Sequence, residues 1–132
     1  MNRRKSREAT MKLLYGRIIN KGEYEDLIED FKENAEENIE DIDFSYVIKT
    51  LKGIEDNIVE IDSEIEKYLS GWKISRVSKV NLSILRLAIY EIKFIEEIPY
   101  RVAVNEAIEL AKKYSDDKSP AFINGILGNM AK

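Results

Sequence analysis

Cysteine and histidine are both absent from the 132 residues, and proline occurs only twice. Without cysteine there is no disulfide framework and no thiolate chemistry. Without histidine the commonest general base and the commonest metal ligand are missing. A hydrolytic triad and a zinc site are excluded in their usual forms. No run of about 18 apolar residues occurs, and no charged-then-apolar leader opens the chain, so a cytoplasmic location is expected. Strand-like alternation is also scarce. Long segments of helical period point to an all-α fold. One domain, residues 1–132, is expected, long enough to bury about two-thirds of its unfolded surface. No residue pattern asks for a cofactor.

Charge is abundant and unevenly placed. The net charge of −4 conceals two opposed segments. Residues 1–22 hold seven Lys/Arg and one acid, net +6, while residues 23–43 hold one Lys and eleven acids, net −10. A polyanion would have to use the first segment and avoid the second. The plainer reading of the acidic run is a solvated face.

The first helix is expected over about Arg3–Ile19. Its inward stripe, Arg4, Arg7, Met11, Leu14 and Ile18, is apolar in the later turns and arginine in the earlier ones. Arginine is seldom buried unpaired, so those first turns are expected at the rim of the core. Arg3, Arg4 and Lys5 also lie at the positive end of the helix, where each cation is disfavoured by roughly 0.3–1 kcal/mol. Phosphate would compensate; a solvated, frayed terminus is the alternative. Gly22 suits a left-handed cap. Tyr24, Leu27, Ile28 and Phe31 give a short second helix, and Asn34–Asp41 reads as a loop.

Asp43 is a plausible N-cap for a third helix whose apolar residues run from Phe44 to Ile61, with a kink or restart at Asp62-Ser63. Trp72 reads as a core anchor. A wide apolar surface over about Ser75–Ile95 marks a central helix packed on two sides. Arg86 within it needs a partner, with Glu91 or Glu106 as candidates. Paired carboxylates alone, without nucleophile, metal ligands or phosphate loop, do not make an enzyme.

Pro99–Met130 organises the rest. Val104, Ala107, Ile108, Ala111 and Tyr114 form one helical stripe, and Ser115-Asp116-Asp117 breaks it. Ser119 and Pro120 read as N-cap and first residue of a last helix. Gly125 and Gly128 imply close packing there. The start of that helix, with Lys118 and free amides, is a natural anion site. Asn105, Glu106 and Asn124 read either as a buried hydrogen-bonded network or, for Asn124, as a ligand face. Phe122 reads as a stacking plane for a base or as a core residue.

PYRVAVNEAIELAKKY (Pro99–Tyr114) followed by SPAFINGIL resembles the C-terminal half of the NusB family, bacterial transcription antitermination factors. The resemblance continues through Trp72, Arg76, LSILRLAIYEI (Leu82–Ile92) and RRKSREATMKLLY (Arg3–Tyr15). It implies a compact globule of six to seven helices in two packed helical subdomains, without catalysis. It implies binding of single-stranded boxA RNA jointly with NusE, a small-subunit ribosomal protein, within the transcription elongation complex. The RNA side would be Arg3, Arg4, Arg7, Tyr15, Lys118, Phe122 and Asn124. The NusE side would be the surface around Ile65, Tyr68, Leu69, Asn81, Leu85 and Tyr90. Lys118 and Asn81 stand where the family often has acids. Some relatives pair as homodimers. Two other readings stay open: a relative of the NusB-like domain preceding some RNA cytosine methyltransferases, and a purely protein-binding helical module.

Overall fold

A computed structural model describes residues 2–35 and 38–130. Among them are seven α-helices and two 3-10 turns: α1 (Arg3–Asn20), α2 (Tyr24–Asn34), α3 (Phe44–Asp56), α4 (Ile58–Lys67), α5 (Lys79–Phe94), α6 (Tyr100–Tyr114) and α7 (Ser119–Leu127), with the turns at Ile39–Asp41 and Ile74–Arg76. The chain is all-α. Within the stretch read as a loop, Ile39–Asp41 is a 3-10 turn, and Glu36 and Glu37 lie outside the described residues.

α1 packs on α2, α3 and α5, while α6 and α7 pack on each other and on α5. α5 therefore joins an N-terminal cluster to a C-terminal one. Its sequence explains the position: Ile84, Leu85, Leu87, Ala88 and Ile89 point to more than one side and are all buried. Ser78 caps it, accepting the Asn81 amide at 3.2 Å.

Asp43 caps α3 as expected, accepting the Tyr46 amide. The restart falls at Asn57, not Asp62-Ser63. The Asn57 side-chain amide donates to the Gly53 carbonyl at 2.8 Å, closing α3 with a local bond that competes with the helical ladder. The left-handed residue after α1 is Lys21 (φ 51), one position before the expected Gly22.

Trp72 is not a core anchor. It stands 62% exposed, after Ser70 and Gly71, which both take left-handed φ (47° and 89°) and turn the chain outward. Close packing is absent at Gly125: an added Cβ meets nothing within 4 Å. At Gly128 it meets the Asn124 carbonyl oxygen at 2.7 Å. The close approach to another helix is at Gly53, where a Cβ would lie 2.2 Å from the Tyr90 hydroxyl.

Candidate nucleic-acid interface

The start of α1 is capped, not frayed. Asn2 accepts the Lys5 amide through its side chain, and its own amide donates to the Asp41 carbonyl at 2.7 Å. The Ser6 hydroxyl donates to the Asn2 carbonyl and accepts the Asp43 amide at 2.8 Å. Lys5 reaches the Asp41 carboxylate at 3.3 Å, so part of the acidic run serves the fold instead of solvent.

Arg7 corrects the expectation of a phosphate contact. Its side chain is 7% exposed, and its Nε donates to both oxygens of Glu91, at 3.0 and 2.9 Å. Glu91 is buried too, and also accepts the Tyr46 hydroxyl. Burial, and next the Glu91 charge, push the Tyr46 hydroxyl well above its ordinary pKa. Arg7 is thus one half of a largely buried ion pair, with only its edge at the recess between α1 and α6. Glu106 adds a second carboxylate at 3.6 Å.

Arg4 is held differently. It forks onto Glu106, at 3.0 and 2.7 Å, while its side chain stays 64% exposed. The hydrogen bond from Arg4 holds the Glu106 carboxyl below its usual pKa. Arg3 carries no ion pair among the described residues, and its guanidinium lies 4.2 Å from the Tyr46 ring centroid. One ring edge thus serves the buried Glu91, and its face serves an exposed cation.

α1 and α7 are not a closely packed pair; α6 packs on α7 and meets α1 through side chains. Along α1, Arg4, Glu8 and Lys12 meet Glu106, Lys113 and Tyr114 of α6 in turn. Lys12, exposed and without an ion pair among the described residues, sits over the Tyr114 ring. Tyr15 continues the same exposed face. In the sequence Lys12 and Lys113 are not singled out and Tyr114 counts only as part of an apolar stripe, although Lys12 follows Glu8 by one helical turn on the α1 face that carries Arg4.

The expected anion site at the last helix is already filled. Asp116 accepts the Lys118 amide at 3.1 Å and the Ser119 hydroxyl at 2.8 Å, and that hydroxyl bond holds its carboxyl below the usual pKa. Ser119 begins α7 instead of capping it, and its buried hydroxyl also accepts from Ser115 and Asn81. Lys118 and Asn124 are exposed, and Phe122 is half-buried against the core. The exposed Asn105 and Asn124 are no part of a core network.

The expected protein-binding surface is mostly interior. Ile65, Leu69, Leu85 and Tyr90 are core residues: α4 packs on α5, and Tyr90 reaches Gly53 of α3. Asn81 is buried in the Ser115–Ser119 network, and only Tyr68 is half-buried. Arg86 pairs with Asp62 of α4, twice at 2.9 Å, and with neither expected glutamate. A recess of about 300 Å³ between α1 and α6 has Arg4, Glu8, Glu106 and Lys113 on its walls.

The family model for NusB matches residues 4–132. The chain belongs to the NusB family. It is 58% identical to transcription antitermination protein NusB of Clostridium novyi, over all of this chain and 99% of that one. It is 52% identical to the protein of that name from Clostridium acetobutylicum, over 98% and 95%. A solved structure of T. maritima NusB superposes with a TM-score of 0.87 at 34% identity, covering 99% and 91%. A solved complex of antitermination factors NusB and NusE with double-stranded RNA contains a chain matching at 0.82 and 29%, covering 97% and 94%. The all-α NusB fold read from the sequence is the fold observed.

Proposed function

We propose that this chain is a transcription antitermination factor, a non-catalytic adaptor that binds single-stranded boxA RNA jointly with NusE within the elongation complex. The observation that carries this reading is the exposed face of α1. Arg4, Lys12 and Tyr15 lie along it, Arg3 stands at its start over Tyr46, and the turn after α6 leads from Tyr114 to the exposed Lys118. Cations supply sequence-independent phosphate contacts, and the aromatic faces supply stacking. Family membership supports the same reading, as does the relatives' shared name. The NusB–NusE complex with RNA supports the two partners. Arg7 acts from within, fixing α1 on α5, while Phe122 and Asn124 border the track. On the NusE side, Tyr68 is the reachable contact, and Ile65, Leu69, Asn81, Leu85 and Tyr90 form the support beneath it.

A few phosphate contacts are weak alone, so tight binding requires NusE. Filter binding with NusE present is expected to favour boxA over a scrambled strand and over a duplex. Equal retention of all three contradicts the reading.

A further inference from the structure

Residues 67–90 hold five Lys/Arg and no acid, in a chain of net charge −4. Two of those cations are accounted for: Lys67 pairs with Glu64 and Arg86 with Asp62. Lys73, Arg76 and Lys79 are exposed and make no ion pair among the described residues. Some cations elsewhere do meet carboxylates, Lys113 at 2.6 Å and Lys93 at two glutamates. The three free cations gather at the start of α5, whose first turn contains no acid. Cations are disfavoured there by the helix dipole. The chain's single tryptophan stands beside them. Trp72, Lys73 and Arg76, with Gly71, line an open recess of about 410 Å³.

We propose that Trp72, Lys73, Arg76 and Lys79 form a second contact for single-stranded nucleic acid, with a base on the indole and phosphates on the cations. The proposal rests on the RNA-binding reading but places a contact on a different part of the molecule. An exposed indole offers a stacking face that tolerates any base. Arg76 presents a fork suited to phosphate, and the lysines add charge without fixed geometry. The surface is also continuous with the first one. Asn81 donates to Ser119 at 2.9 Å, which ties the start of α5 to the turn carrying Lys118. The start of α5 therefore adjoins the turn at which the α1 face ends. A protein partner would also value an exposed Trp and Arg. Three unpaired cations at the positive end of a helix favour a polyanion.

The single tryptophan is its own probe. Indole fluorescence and the anisotropy of an end-labelled single-stranded boxA oligonucleotide are followed together, with the full chain at low salt. The indole signal is expected to quench and saturate with the anisotropy. Trp72→Ala is expected to weaken binding about fivefold or more. Lys73→Ala/Arg76→Ala/Lys79→Ala is expected to flatten log K against log salt by about 2, near 0.7 per phosphate contact. RNA bound with no change at Trp72, an unaltered slope, or no binding at low salt overturns the proposal. So does a triple variant that loses only NusE. The antitermination reading fails separately, in the comparison of boxA with scrambled strand in the presence of NusE.

Discussion

Arg7 shows what one residue's surroundings decide. Its bond to Glu91 spans 84 positions of sequence, and both side chains are buried. Removing one partner strands the other charge, which costs about 3–5 kcal/mol. Glu91→Gln is expected to lower the denaturant midpoint accordingly. In a double-mutant cycle with Arg7→Met, the two losses should fall well short of adding. Glu106 behaves differently, because Arg4 is exposed. Its pKa is depressed in the folded state by the Arg4 hydrogen bond, from an ordinary value of 4.5. A depressed pKa contributes stability that is complete above the unfolded value and is lost as pH falls through the folded one. The stability gap between the parent and Glu106→Gln should therefore be constant near neutrality and close progressively below about pH 4.5. Thermal unfolding across pH measures it. At neutral pH the same variant releases Arg4 and should bind RNA more tightly; weaker binding would show that Glu106 positions Arg4 instead of competing for it. The sequence exposed the arginines of α1 but not their partners. Which carboxylate each meets is fixed by the packing of α1 on α5 and beside α6, at separations no local pattern reveals.

Elements were easier to read. The period of the apolar residues placed α1 within one residue of its observed end, and the cap at Asp43 was correct because its chemistry is local. Breaks set by one side chain were harder. Asn57 ends α3 by bonding Gly53, and nothing in the apolar run from Phe44 to Ile61 interrupts it. Ser70-Gly71 did mark a turn, but the direction in which it threw Trp72 depended on two left-handed residues in succession. Glycines show the same limit. Gly125 lies in an exposed turn of α7 with space around it, so Gly125→Ala should stabilise by about 0.5–1 kcal/mol. Gly53 meets Tyr90 of α5, so Gly53→Ala should destabilise by about 1–3 kcal/mol as the helices are forced apart. Chemical unfolding of both variants reads the two signs. Destabilisation at Gly125 would mean that a neighbour approaches it in solution.

At the scale of the molecule, charge follows the arrangement of the helices. α1 carries cations along the face toward α6. The Asp116 turn then brings Lys118 beside the start of α5. The acids of residues 23–43 are carried mainly by α2 and the turn after it, which pack beside α1 and not on that track. Net charge alone predicted none of this, since the total is negative. The arrangement gives the family's shared fold a surface that a polyanion can follow, and it separates cations that hold the core from cations that are free. The most direct test is the salt dependence of RNA affinity, with NusE present, for the parent chain and for Arg3→Ala/Lys12→Ala/Lys118→Ala. The three cations should account for about 2 units of the log–log slope, at near 0.7 per contact, with the thermal midpoint lowered only slightly by the loss of two exposed cation–π contacts. An identical slope in the two proteins would contradict the account.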